Sequence, residues 1–339
     1  MGVDISSILI KHPTNLRDHS GDVAAVDAYN VMYQFLSSIR QPDGTPLRDS
    51  QGNVTSHLSG IFYRTVNLIE AGIQPVFVMD GKPSPLKGRE IEARRMQREK
   101  NRIELEKAIE LEDVERIRSL SGRINYITPE MVAETADLLR AMGVPVIFAP
   151  SEGEAQCAYL TSSGLARSVI TQDYDALLFG AVRVLRNFAL TGKRKVPGRN
   201  IYMNVSPEYI DLKENLLALN ITREQLIAIG ILVGTDFNQG VPRVGAKTAL
   251  SLVKKYGNLE NVLEYKGIPY SDLSDVFDLF LNPPHSDQVN IARSPPDRFK
   301  IEEILATRHD FSHDRISPYI DTLERMWRQN SQSNLDSFF

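Results

Sequence analysis

Six carboxylates fall where short apolar runs of this chain end. Asp27 directly follows Val23-Ala-Ala-Val26, and Asp80 directly follows Pro75-Val-Phe-Val-Met79. Asp173 and Asp175 come just after Ser168-Val-Ile-Thr171, and Glu152 and Glu154 open the stretch beyond Val144-Pro-Val-Ile-Phe148. Asp236, past the apolar stretch 222–234, is a seventh candidate. Acids favour turns and helix starts in any protein, so a single one carries little. Six at three strand ends and one strand–helix junction are harder to assign to turn preference alone. Two carboxylates about 4 Å apart repel by about 4 kcal/mol at an effective dielectric near 20, so gathering several requires a cation between them. Oxygen ligands without histidine or thiolate suit Mg²⁺, with Mn²⁺ as substitute, better than zinc. Two such ions roughly 3.5–4 Å apart activate water, orient a phosphodiester and stabilise the leaving oxygen. The chemistry implied is phosphoryl transfer to water.

The elements that would position these acids follow from periodicity. The four apolar runs are short and rich in β-branched residues, as buried strands are. Between them, His57–Ala71 places Leu58, Ile61, Phe62, Thr65, Leu68 and Ile69 at helical spacing. A second helix starts at Thr128 as N-cap with Pro129 in its first position, and stops at Gly143. Strand–helix alternation predicts an α/β fold: a mainly parallel twisted sheet with helices on both faces. In such a sheet, ligands bind outside the carboxyl ends of the strands, so the acids should share one rim. Two stretches break the pattern. Residues 82–123 are highly charged and helical, with no core stripe in their first half, and Lys193-Arg194-Lys195 before Pro197-Gly198 suggests a loop or hairpin tip. From Ser206 the chain turns mainly helical, with a capping box at Thr222-Arg-Glu-Gln225. Residues 281–298, with four prolines, predict a surface loop, and the polar 328–334 predicts a stretch without regular structure.

Composition narrows the class. The 339 residues are 42% hydrophobic and 24% charged, ordinary for a globular protein with a substantial core. No apolar run approaches the roughly 20 residues that span a bilayer. A net charge of −4 does not by itself suggest a nucleic-acid partner, but the two signs are segregated along the chain. Cys157, the single cysteine, excludes an internal disulfide and predicts a buried, inert thiol. His309 and His313 stand i, i+4 but lack a third nitrogen or sulfur ligand nearby, so zinc is not expected there. The Gly2/Ser6 pattern for N-myristoylation is also present, in its bare form.

Gly240-Val-Pro-Arg-Val-Gly-Ala-Lys-Thr-Ala249 resembles a helix-hairpin-helix, with Gly245 in the turn and a helix after it. Amides at that helix start can hold a phosphate without reading its base, and Lys247 adds charge. Arg243 stands where the pattern commonly has glycine, and Ala246 where proline is frequent. A plain αα-corner is the alternative.

Taken in order, Met1-Gly2-Val3, Asp27-Ala-Tyr-Asn30, Met79-Asp-Gly-Lys-Pro83, Ser151-Glu-Gly-Glu-Ala-Gln156, Thr171-Gln-Asp-Tyr-Asp175 and Gly234-Thr-Asp236 resemble the motifs of the flap endonuclease family, in its archaeal form. The resemblance covers nearly the whole chain. It implies a nuclease that cuts 5′ flaps near the single-strand/double-strand junction, with 5′–3′ exonuclease activity, using two divalent ions in replication and repair. Carried over, Asp27, Asp80, Glu152, Glu154, Asp173, Asp175 and Asp236 match the metal-site acids, and Lys87 and Arg94 match two catalytic cations. Tyr33 matches an aromatic that stacks on a base, and Gly2, after loss of Met1, would bring its amine to the site. That placement argues against myristoylation. Residues 82–123 correspond to a helical arch expected to order on DNA, with Arg94, Arg98 and Arg102 on one cationic face. A salt-bridged, solvated helix has the same spacing, since Glu90–Arg94 and Arg95–Glu99 are i, i+4 pairs. Gly240, Gly245 and Lys247 would contact the duplex, and the resemblance also implies K⁺ at the 234–245 hairpin. Residues 44–57 match the wedge that bends the duplex and accepts a 3′ overhang. The ending, Gln332-Ser-Asn-Leu335-Asp-Ser-Phe338-Phe339, matches the pattern that binds a sliding clamp (PCNA).

The resulting organisation has an N-terminal nuclease region (1–98) with the arch inserted at 82–123, and an internal nuclease region (124–256) holding the helix-hairpin-helix at 236–255. A helical part (257–327) and a flexible tail (328–339) follow. The expected protein is a monomer acting on branched DNA with a 5′ flap, away from membranes, cytoplasmic or, in a nucleated cell, nuclear. A Holliday-junction or excision-repair nuclease of the same superfamily is an alternative, as is a DNA and clamp adaptor without activity. The compact arch and the clamp motif favour the first reading over the second. All seven acids and both cations disfavour the adaptor, which would be free to lose them.

Overall fold

A computed structural model of the chain describes residues 2–41, 44–111, 113–121, 126–188, 192–195 and 202–336. The strands are β1 (His12–Pro13), β2 (Val23–Asp27), β3 (Gln74–Met79), β4 (Val146–Phe148), β5 (Ser168–Ile170), β6 (Arg183–Arg186), β7 (Gly192–Lys195), β8 (Tyr202–Val205) and β9 (Glu208–Asp211). Seven of them form one sheet in the order β1-β9-β6-β5-β2-β3-β4. The β6-β5-β2-β3-β4 segment is parallel throughout, and β9 and β1 join antiparallel at one edge. From β2 the chain winds outward to β3 and β4, then returns to place β5 on the other side of β2. Such a reversal opens a crevice between the two strands at their carboxyl ends.

Alternation along each strand divides the core in two. Ala25, Val76, Val78, Val169 and Val184 point to one face, while Ala24, Val26, Phe77, Met79, Ile170 and Leu185 point to the other. The second face is covered by α1 (Ala28–Ser38), α2 (Ser56–Glu70) and α5 (Pro129–Ala141), reinforced by the long terminal helix α14 (His313–Asp336). Leu58, Ile61, Phe62, Thr65, Leu68 and Ile69 of α2 are all buried, as their spacing predicts. Burying a side chain such as Phe62 contributes on the order of 1.5–3 kcal/mol. The first face carries α6 (Gly153–Ser162), α7 (Asp175–Leu178), α9 (Arg223–Val233), α10 (Ala246–Tyr256) and α12 (Ser274–Leu281). The capping box at Thr222 and Gln225 starts α9 as expected. Cys157 lies in the core against this face, its thiol pushed up by burial and by the neighbouring acids.

The charged insertion forms α3 (Gly88–Glu110) and α4 (Val114–Ser121), which pack against each other. Its expected lack of a core stripe holds: only Asn101 and Ala108 of α3 are buried. Strands β2 and β3 belong to the N-terminal region and β4, β5, β6 and β9 to the internal one, so both build a single sheet. No single helix among the described residues is long and apolar enough to cross a membrane.

Three sequence expectations differ from the structure. Lys193–Lys195 lie within β7, an arm of the β7–β8 hairpin, rather than at its tip. Three strands of the main sheet, β1, β6 and β9, escape the apolar-run criterion because β1 is two residues long and β6 and β9 carry charged residues. The backbone of α14 continues through residue 336, across the polar stretch expected to lack regular structure. A helix anchored by buried Ile316, Ile320 and Leu323 can extend outward cheaply, because each further residue fixes one hydrogen bond without a new nucleation cost.

Candidate active site

Asp27 is the last residue of β2 and the N-cap of α1, and its Oδ1 accepts from the Asn30 amide at 3.0 Å. Asp80, one residue past β3, accepts from the Gly153 amide at 2.7 Å. Glu152 caps α6, accepting from the Ser84 amide at 3.2 Å and the Lys87 Nζ at 2.6 Å, and Glu154 sits in that helix's first turn. On the other side of the switch point, Asp173 follows β5 and Asp175 opens α7. Asp175 accepts from the Val3 amide at 2.7 Å, which brings the N-terminus to the rim. A Cβ on Gly2 would come within 2.7 Å of the Asp175 carboxylate, so any larger residue there must displace that side chain. Asp236, beyond α9, receives the Arg94 guanidinium at 2.7 Å, with Lys87 Nζ at 3.9 Å. The acid whose place the strand argument could not give thus joins the others.

These groups line a cavity of about 450 Å³, with Asp27, Asp80, Glu152, Glu154, Asp173 and Asp236 in its wall. Lys87, Arg94, Arg98 and Gln97 enter from the arch, and Tyr29, Asn30 and the exposed Tyr33 from α1. Arg102 does not reach it: it is exposed and paired with Glu99 and Glu106 on the outside of α3. Of the cationic face expected from spacing, its first two arginines face the acids and the third belongs to the solvated helix.

Burial and mutual repulsion govern the titration. Burial, then the Asp80 and Asp173 charges, pushes Asp27 up to about 8, and burial raises Asp175 to about 7 and Asp80 to about 6. Glu154 is raised by burial and by Asp175, Asp173 and Asp27, and its buried Oε1 has no hydrogen-bond partner among the described residues. Burial opposes the charge on Lys87, but Glu152, Glu154 and Asp236 outweigh it and its pKa rises. Buried carboxyls whose pKa values are raised by burial and by one another, around an orphaned acceptor oxygen, fit a divalent cation with hard oxygen ligands. Among the described residues no three such groups already close around one point. Gly153, Val3, Asn30, Lys87 and Arg94 currently hold Asp80, Asp175, Asp173, Glu152 and Asp236 by hydrogen bonds that an ion's ligands would have to rearrange.

Neither Asn30, within the Asp27-Ala-Tyr-Asn30 motif, nor Thr171 has a role legible from the sequence alone. Both join acids across the switch point: Asn30 Nδ2 donates to Asp173 at 2.8 Å, and Thr171 Oγ1 donates to Asp27 at 3.2 Å. The signal for Asn30 was its place three residues after Asp27, in the same first helical turn. His309 and His313 do not form a joint site. His309 is buried between Asp49 (2.9 Å) and Glu134 (3.2 Å), holding the loop before α2 against α5, while His313 faces Glu302.

The helix-hairpin-helix is formed by α9, the turn 234–245 and α10. Gly240 adopts φ +71° with its α-carbon so close to the Val233 carbonyl that a Cβ would lie 2.4 Å from that oxygen, so only glycine closes this turn. Gly245 is the N-cap of α10, and Lys247 is exposed in its first turn. Arg243, where glycine is common in the pattern, takes φ 64°, a left-handed conformation that a side chain occupies at some cost. Gln332 and Leu335 lie on the backbone of α14, whereas Phe338 and Phe339 lie outside the described residues.

The XPG N-terminal domain model matches residues 2–101 and the XPG I-region model matches residues 143–236. Flap endonuclease 1 of Picrophilus torridus is 53% identical over 339 residues, covering 100% of both chains. That of Aeropyrum pernix is 47% identical, again over 100% of both. Flap endonuclease-1 from Methanococcus jannaschii has a solved structure that superposes with a TM-score of 0.78 at 38% identity, over 97% of this chain and 100% of that one. With acids, cations, arch and hairpin arranged around one rim, the chain belongs to the flap endonuclease family, the structure-specific nucleases of the XPG type.

Proposed function

We propose that this nuclease hydrolyses one phosphodiester of branched DNA at the base of a 5′ flap, with two Mg²⁺ ions held by Asp27, Asp80, Glu152, Glu154, Asp173, Asp175 and Asp236, and with Mn²⁺ as substitute. The observation that carries this is the convergence of six of those acids with Lys87 and Arg94 in one cleft beneath the arch helix α3, with Asp175 buried behind its wall. When bound, the ions would supply an activated water and charge stabilisation for the leaving oxygen. Lys87 and Arg94 are hydrogen-bond donors aimed into that cleft, suited to the charge that develops on the scissile phosphate. Tyr33, exposed at the cavity edge, offers a ring on which any base can stack, so the contact is blind to sequence. Gly240 in the turn, with Gly245 and Lys247 at the start of α10, would hold duplex phosphate through backbone amides and one charge, again without base readout. Arg98 continues the cationic side of α3 toward a single strand. The names of the relatives support the flap as substrate, and the same site would trim 5′ ends exonucleolytically.

The C-terminal residues Gln332, Leu335, Phe338 and Phe339 would dock on a sliding clamp, and the protein would work as a monomer where the DNA lies, in the cytoplasm or, in a nucleated cell, the nucleus. The test of the substrate compares Mg²⁺-dependent cutting of a labelled 5′ flap with that of a four-way junction, using Asp173→Ala and a deletion of residues 90–110 as controls. Flap cutting lost in both variants is the expected result. Preference for the junction, or flap cutting that survives the arch deletion, would refute the reading.

A further inference from the structure

Asn30 lies at the centre of the switch point between β2 and β5. Its backbone amide donates to Asp27 Oδ1 at 3.0 Å, its side-chain Nδ2 donates to Asp173 Oδ2 at 2.8 Å, and its Oδ1 accepts from the Gln172 amide at 3.0 Å. Both ends of the side-chain amide are therefore engaged. Because the Gln172 partner can only donate, the oxygen must face it, and the nitrogen is left to face the Asp173 carboxylate. One residue in the first turn of α1 thus bonds the acid that ends β2 and the acid that follows β5.

The chemistry of this bond differs from that of the side-chain nitrogens donating to Glu152 and Asp236. Glu152 and Asp236 are held by cations, Lys87 and Arg94. Asp173 is held by a neutral donor, which fixes its rotamer without cancelling its charge. A ligating carboxylate fixed by a hydrogen bond to its outer oxygen keeps the other oxygen directed, and loss of such a partner typically costs 10–100-fold in metal affinity. We propose that Asn30 is a positioning residue: it orients Asp173 toward the divalent ion through a neutral donor, so that no side-chain cation competes with the ion at that bond. This rests on the reading of the acid cluster as a divalent-metal site.

The test uses the full chain without DNA and titrates Mn²⁺ alone, following free Mn²⁺ by electron paramagnetic resonance. Asn30→Leu preserves side-chain size and removes donor and acceptor; Asn30→Ala serves as the second variant, and both are compared at equal folded fraction by circular dichroism. The expected result is a 10–100-fold rise in Mn²⁺ Kd in both variants. Flap cutting at low Mg²⁺ should fall by a similar factor and return to within about threefold at saturating Mg²⁺, a recovery that general damage to the fold would not allow. In an Asp173→Ala background, Asn30→Leu should change Mn²⁺ Kd by less than about twofold, since the bonded acid is already gone. Mn²⁺ bound equally well by the unmodified protein and by Asn30→Leu would overturn the role of Asn30 and leave the metal reading standing. No Mn²⁺ binding by the unmodified protein would overturn both.

Discussion

The Arg94 guanidinium on the arch helix donates to Asp236 Oδ2 at 2.7 Å, joining residues 142 apart in the chain. Glu90, one turn earlier, also pairs with Arg94, and Lys87 lies 3.9 Å from the same Asp236 oxygen. The arch is therefore fastened to an acid in the helix-hairpin-helix turn. Arg94 is 38% exposed in this pair, so its worth to stability is at most about 1 kcal/mol. Its worth to catalysis is set differently, by the charge that develops on a phosphate. Arg94→Ala should lower the single-turnover cleavage rate by roughly 10²–10³-fold. Thermal stability should change by no more than about 1 kcal/mol. Rapid-quench measurement on a flap substrate checks it, and a rate within threefold of the unmodified protein would remove Arg94 from the chemistry.

The raised carboxyl pKa values give a signed prediction. Asp27 at about 8, Asp175 at about 7 and Asp80 at about 6 all stand above the ordinary value of 3.8. Groups raised in the folded state favour the fold below their unfolded pKa, and that stability is lost as pH climbs through the folded values. In a chelator, the melting temperature should fall between pH 5 and pH 8.5. Divalent ions displace protons, so the stabilisation by Mg²⁺ should grow over the same interval and protons should be released on binding. Calorimetry in buffers of different ionisation enthalpy reads the proton count. A Mg²⁺ shift that does not vary with pH would contradict the assignment.

Two glycines press on these acids from the protein side. A Cβ on Gly153 would lie 2.6 Å from Asp80 Oδ1, and one on Gly2 would lie 2.7 Å from Asp175 Oδ2. Gly153→Ala and Gly2→Ala should each raise the Mg²⁺ concentration needed for half-maximal cutting by about tenfold, by turning a carboxylate away from its place. Thermal unfolding separates this from general damage, since neither position lies in the apolar core. Unchanged Mg²⁺ dependence in both variants would show that the acids have room to spare.

Legibility in the sequence followed the strength of local signals. Asp27, Asp80 and Asp173 could be placed because β-branched runs mark where buried strands end, and parallel topology sends those ends to one rim. Strands β6 and β9 could not, because Arg183, Arg186 and Asp211 form ion pairs near the antiparallel edge and their sequences lack an apolar run. Asp236 was reachable only by resemblance, since it is carried by a turn after a helix and its position depends on how α9 packs on the first face of the sheet. Periodicity puts Arg94, Arg98 and Arg102 on one side of an isolated helix, but it does not reveal that Arg94 and Arg98 line the cleft while Arg102 pairs with Glu99 and Glu106 beyond it. Asn30 shows the opposite failure. A polar residue in a first helical turn looks like solvent-facing structure until the neighbouring strand end is seen against it.

The tail gives a prediction that separates catalysis from recruitment. The catalytic groups lie on the sheet rim and arch, whereas α14 is held on the second face through Ile316, Ile320 and Leu323, and its backbone runs on through Asp336. Among the described residues, the groups assigned to the chemistry all precede α14. Removal of residues 332–339 should leave kcat and KM on a flap substrate within about twofold, because the acids and cations assigned to cleavage all lie on the rim and arch. Stimulation by a sliding clamp should vanish, since an aliphatic residue and paired aromatics at a chain end act as one hydrophobic plug and lose affinity together. Gln332→Ala alone should reduce stimulation partially, by removing one polar contact while the apolar plug remains. Steady-state cutting with and without clamp decides the matter, and stimulation that survives truncation would place the clamp contact elsewhere on the protein.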